Sequence, residues 1–77
     1  MKLNECKTKQ SVKITDIQAG KQALQNLNKM GIKTGDVILI KNKSLVKGPI
    51  LVKKGESEIA IGNGIADKIL VEIIEES

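Results

Sequence analysis

Met30-Gly31-Ile32-Lys33-Thr34-Gly35-Asp36-Val37 is the stretch where one periodicity gives way to another, and its reading decides the fold. Upstream of it, Ala23, Leu24, Leu27 and Met30 recur at intervals of three and four. They share one stripe of a helix over residues 21–30, while Lys21, Gln22, Gln25 and Asn28 face elsewhere. Gly31 can take the left-handed conformation that ends such a helix, and Ile32 then folds back on Leu27 in the usual apolar contact of that cap. Downstream, Thr34-Gly35-Asp36 makes a turn. Val37 to Lys41 is nearly all β-branched or apolar, which reads as a strand buried on much of both faces.

Working outward, Ser11 to Ile17 places Val12 and Ile14 on one face and Lys13 on the other, the period of a half-buried strand. Asp16 offers an alternative as an early helix cap, which would draw Ile17 into the helical segment. Asn42 to Lys47 is a polar loop interrupted by Leu45 and Val46. Gly48-Pro49 turns the chain into Ile50-Leu51-Val52, with proline at a strand entrance, where its missing N–H does least harm. Lys53-Lys54-Gly55 closes that strand. Ser57 to Ile61 alternates with Ile59 and Ile61 inward, Asn63 caps a helical turn through residues 63–68, and Ile69 to Ile74 supplies a last strand. Five short strands with hairpin-length joints leave no room for crossover helices. The expectation is a mainly β domain with short helices, a small antiparallel barrel of SH3-like architecture occupying residues 1–77 as one unit.

Composition agrees and also excludes. Seventeen of the 77 residues are Val or Ile, side chains that suit a pleated surface better than a helix. There is no Trp, Tyr, Phe or His. Imidazole is the usual acid–base group near neutral pH and the commonest metal ligand, so most triads and transition-metal sites are absent. Aromatic grooves for proline-rich peptides and stacking platforms for single-stranded nucleic acid are absent too. The net charge of +4 comes from 13 lysines and no arginine, spread from Lys2 to Lys68, so only a mild attraction to polyanions is expected and nucleic acid is disfavoured as a partner. Cys6 is the single cysteine and can form no internal disulfide; it reads as a structural or incidental residue in a flexible arm. The polar stretch Met1 to Gln10 is unlike a signal peptide, and no apolar run reaches membrane-spanning length, which together lead to the expectation of a cytoplasmic domain.

The motifs that suggest chemistry carry little. Lys33-Thr34-Gly35 and Ser44-Leu45-Val46-Lys47 match short signatures of penicillin-recognising enzymes in the wrong order and in too short a chain. Gly62-Asn63-Gly64 lacks the surroundings of a dinucleotide fingerprint. Glu56 and Glu58 read as a solvated edge. No catalytic residue, cofactor or metal ligand is assigned, and the domain is not expected to be an enzyme. Leu45 and Val46, apolar in a polar loop, read equally as a satellite contact beneath the loop or as partner contacts; Leu27 and Met30 at the helix end are the other partner candidates, with a wholly core Leu27 as the alternative. Lys43 and Lys47 are expected to be freely replaceable.

Met30 to Val37, then Gly48-Pro49-Ile50, Ile59-Ala60-Ile61 and Ala66-Asp67-Lys68-Ile69-Leu70-Val71-Glu72, resembles the ferrous iron transport protein A family (FeoA) in order and spacing over about Leu24 to Glu72. The family reads L-G-[ILM]-x-P-G-x-x-[VIF], then G-x-P or G-G-P-x, a short strand, and A-x-x-I-x-V. Here Met30 stands for the usual leucine, Thr34 for proline, and the arginines common in the helix and after the short strand are missing. In that pattern Gly31, Gly35, Gly48 and Pro49 are the structural turns. The resemblance implies an SH3-like barrel acting as a small accessory of a bacterial ferrous iron uptake system. Its partner would be the membrane transporter with an N-terminal G-protein domain (FeoB), the chain itself holding no iron tightly and reaching the membrane only through that partner. The fold also occurs in iron-dependent repressors, so a regulatory or nucleic-acid-binding module is the alternative function, separable by the salt dependence of phosphate contacts.

Overall fold

The computed structural model describes residues 1–43 and 47–76. Five antiparallel strands, β1 (Gln10–Ile17), β2 (Val37–Lys43), β3 (Ile50–Lys54), β4 (Ser57–Ile61) and β5 (Ile69–Glu76), form one sheet in the order β4-β3-β2-β1-β5. The helix α1 (Lys21–Lys29) connects β1 to β2, and a single turn, α2 (Asn63–Ala66), connects β4 to β5. This is the mainly β, SH3-like arrangement expected from the spacing of the strands.

One face of every strand is apolar, and the faces meet in one core. Val12, Ile14, Ile38, Ile40, Ile50, Val52, Ile61, Ile69 and Val71 are all buried there, joined by Leu27 from α1 and by Ile32 beyond it. Three register shifts, between Ser11 and Val12, between Ile14 and Asp16, and between Ile40 and Asn42, bend the sheet around that core. The second one settles the end of β1. Ile14 and Ile17 are three residues apart, a spacing that regular pleating would place on opposite faces, yet both are buried because the ladder skips Thr15. Asp16 therefore stays in the strand, its Oδ1 accepting the Ile17 N–H at 2.9 Å, and caps no helix.

Three expectations are corrected. The strand beginning at Val37 is buried on one face: Val37 is 50% exposed and Lys41 is exposed, as an antiparallel sheet with one wet face requires. The polar start of the chain is no loose arm. A 3-10 turn at Leu3–Glu5 drops Leu3 and Cys6 into the core, and the Met1 carbonyl accepts the Val71 N–H at 2.7 Å beside a bridge from Lys2 to Leu70. Lys43 locks this segment, donating from Nζ to the Asn4 carbonyl at 2.9 Å and to the Cys6 carbonyl at 2.7 Å. Replacing Lys43 thus strips two buried-side acceptors of a charged donor, contrary to its reading as a solvated lysine.

Candidate functional site

α1 begins after Gly20 with no side-chain cap and ends in a well-formed one. Gly31, at φ +88°, donates to the Asn28 carbonyl at 3.0 Å, and the Ile32 N–H reaches the Leu27 carbonyl at 2.9 Å. These are the paired bonds of a Schellman cap, and a left-handed glycine is what they need. The next turn closes from the Asp36 N–H to the Lys33 carbonyl at 3.1 Å, with Gly35 at φ +97° in its third position, a conformation that a side chain would strain. Gly48 and Pro49 lie outside the ladder immediately before Ile50.

A three-membered knot fixes the helix end against the β3–β4 hairpin. The Asp36 carboxylate accepts the Lys33 N–H at 2.9 Å and Lys54 Nζ at 3.0 Å, and the same Nζ donates to the Gly31 carbonyl. The Asp36 side chain is 12% exposed and that of Lys54 34%. Burial pushes the Asp36 carboxyl up, but the hydrogen bonds from Lys54 and Lys33 and the charges of both lysines outweigh it, and the net displacement is below the ordinary carboxylate range.

Because Lys54 closes the hairpin opposite Ser57 and also binds the end of α1, the helix lies with its C-terminal end near the start of β4. Between α1 and the segment that runs from the end of β4 into α2 opens a groove of about 530 Å³. Ala23, Asn26, Leu27, Lys29 and Met30 form its helical wall, and Ala60, Ile61, Gly62 and Ile65 the opposite one. The lining is apolar apart from one amide and one ammonium group, and no carboxylate contributes to it.

The structure brings together two of the four partner-contact candidates. Met30 stands at the rim, 45% exposed, whereas Leu27 is 2% exposed and belongs to the core, contributing to the groove from below rather than offering area of its own. Leu45 and Val46 lie outside the described residues. Ala23, Ala60 and Ile65 were not among the candidate contacts read from the sequence, since the groove arises from two segments far apart in the chain and no local pattern marks it.

Reactive chemistry is sparse. Among the described residues no three His, Cys, Asp or Glu side chains stand close enough to hold a metal ion, and no helix is long and apolar enough to cross a membrane. Cys6 is 1% exposed; burial pushes its thiol up against the opposing charges of Lys43 and the amino terminus. Glu56 and Glu58 are exposed, as a solvated edge predicts.

Fold and groove together define an SH3-like β module with an apolar groove beside its longest helix. The family model described as "FeoA domain" matches residues 1–73, and the chain belongs to that family. A protein of Methanocaldococcus jannaschii named "Putative Fe(2+) transport protein A" is 40% identical over 67 residues, covering 86% of this chain and 78% of that one. The solved FeoA-like protein of Clostridium acetobutylicum superposes with a TM-score of 0.85 at 28% identity, covering 100% of this chain and 90% of that one. A manganese-dependent transcriptional repressor shares the fold, at a TM-score of 0.88 and 20% identity over 96% of this chain and 41% of the longer repressor.

Proposed function

We propose that this protein is a non-catalytic accessory of a ferrous iron uptake system, acting in the cytoplasm as a docking module on the G-protein domain of the membrane transporter (FeoB). The observation that carries the reading is the groove beside α1. It is apolar and carries an exposed methionine at its rim, while among the described residues no group of three His, Cys, Asp or Glu could hold a metal ion. Membership of the FeoA family and the name of the archaeal relative support the iron-transport context. Apolar rims of this kind bind through desolvation of a few side chains, which suits a module with little reactive chemistry.

Co-purification with the isolated G-protein domain, in each nucleotide state, tests the proposal. Met30→Asp places a charge at the groove rim on an exposed position, so binding should fall about tenfold or more at an unchanged melting temperature. The Leu45→Ser/Val46→Ser pair tests the loop candidates in the same assay. Absence of binding by the unaltered chain in every nucleotide state would contradict the reading.

A further inference from the structure

We infer that the groove receives an extended segment of the protein partner as a sixth strand on β4, with apolar side chains over the groove floor and a carboxylate at Lys29. The inference rests on the docking reading above and specifies the chemistry of what docks.

β4 pairs with β3 and is an edge of the sheet. Its register identifies which backbone groups are free. Lys54-Gly55-Glu56-Ser57 is a two-residue hairpin with Gly55 at φ +59° in the first central position, so Lys54 and Ser57 form the closing hydrogen-bonded pair. Alternation then gives bonded pairs at Val52 with Ile59 and Ile50 with Ile61, and non-bonded pairs at Lys53 with Glu58 and Leu51 with Ala60. The N–H and C=O groups of Glu58 and Ala60 therefore point away from β3, and among the described residues neither bonds elsewhere outside the strands.

Sheet edges are normally blunted by proline, lysine, bulges or a covering segment. The other edge, β5, is covered in part by Met1 and Lys2, is bulged where it meets β1, and carries Glu72 and Glu75. β4 carries one charge, the exposed Glu58, but none of the first three devices: its five pairs with β3 run without a register shift, and its sequence Ser-Glu-Ile-Ala-Ile contains no proline or lysine. Beside this open edge lies the groove, to which Ala60 and Ile61 contribute directly. A strand hydrogen-bonded to Ala60 would place alternate side chains over Leu27, Ile61 and Ile65. Charge selects the occupant: Lys29 is the one charged group in the lining and no acidic side chain there answers it. An extended segment with alternating apolar residues and an acidic residue satisfies the edge, the floor and the ammonium group together.

The test uses the full isotopically labelled chain with three blocked synthetic peptides: Thr-Val-Asp-Val-Thr-Val, the same peptide with lysine for aspartate, and the aspartate peptide N-methylated at alternate residues. At millimolar concentration the aspartate peptide should slow hydrogen exchange at the Glu58 and Ala60 amides about tenfold. The N-methylated peptide should leave both amides unprotected. Ala60→Pro removes an N–H that faces away from β3, so it should melt as the unaltered chain does and lose the protection at the remaining Glu58 amide. Lys29→Glu, on an exposed helix position, should reverse the preference between the aspartate and lysine peptides. Unprotected Glu58 and Ala60 amides, or equal binding of the N-methylated peptide, would overturn the inference. Self-association of the free chain abolished by Ala60→Pro would overturn it by assigning the edge to a second copy. If the transporter's G-protein domain binds without protecting Ala60, the strand inference fails and the docking reading survives. Peptide protection without G-protein domain binding would keep the inference for the edge and contradict the transporter instead.

Discussion

Replacing Lys54 by methionine keeps the aliphatic stem and removes the ammonium group that joins the Gly31 carbonyl to Asp36. Hydrogen bonds to charged groups contribute about 1.5 to 3 kcal/mol each when well shielded, and partial exposure of Lys54 reduces this toward the lower end. The loss expected for the pair of bonds is about 2 kcal/mol, since Asp36 keeps its bond from the Lys33 N–H. For a domain of this size that corresponds to a fall in Tm of about 8 to 16 °C. A thermal double-mutant cycle with Asp36→Asn separates the two arms of the knot, and the Asp36–Lys54 coupling should be about 1 kcal/mol. The same pair has a pH signature. The Asp36 carboxyl lies lower in the folded chain than its unfolded value of about 3.9, so its contribution is complete above that value and disappears as pH falls through the lower folded one. In Lys54→Met the acid-side loss of stability should be shallower. A coupling below about 0.3 kcal/mol, within the error of additivity, would refute the claim that this knot ties α1 to the hairpin.

Gly31→Ala should cost about 1 to 2 kcal/mol through left-handed strain alone, because an added Cβ meets nothing nearer than Lys54 Nζ at 4.0 Å; a D-alanine introduced by chemical synthesis should restore the loss, and failure to do so would point to a clash. The Cys6 thiol should react with a disulfide reagent only on opening of the amino-terminal segment, and Lys43→Met should speed that reaction; fast labelling of the unaltered chain would contradict the burial. Anaerobic calorimetry should find ferrous iron binding no tighter than about millimolar, since scattered carboxylates hold such ions weakly, and stoichiometric micromolar binding would require a site that the described residues lack.

The helix stop at Met30-Gly31-Ile32 was legible because a cap is a local device: three adjacent residues carry the conformation and both hydrogen bonds. The strands were legible through their period of two, and only where that period holds. At Thr15 the bulge breaks it, and Asp16, a residue type that also caps helices, left the end of the strand open until the burial of Ile17 beside Ile14 decided the matter. Leu3 and Cys6 gave no signal at all. They are single apolar residues in a charged stretch, and their burial depends on pairing with β5, almost seventy residues away. Lys43 misled for a related reason: a lysine's acceptors are invisible when they are backbone carbonyls 39 and 37 residues away in the chain. The groove is the extreme case. Its helical wall was foreseen only at Met30 and Leu27, and its opposite wall comes from residues 60–65, thirty or more positions further along the chain.

The central claim, that the groove beside α1 is the surface on which the transporter's G-protein domain docks, is tested most directly by mapping amide shifts of the labelled chain on titration with that domain. The account predicts the largest changes at Ala23, Met30, Ala60 and Ile65, the residues that line the groove from both walls. Changes confined instead to Lys13, Val37 and Glu72, which neighbour one another across β2, β1 and β5 and lie away from the groove lining, would contradict it.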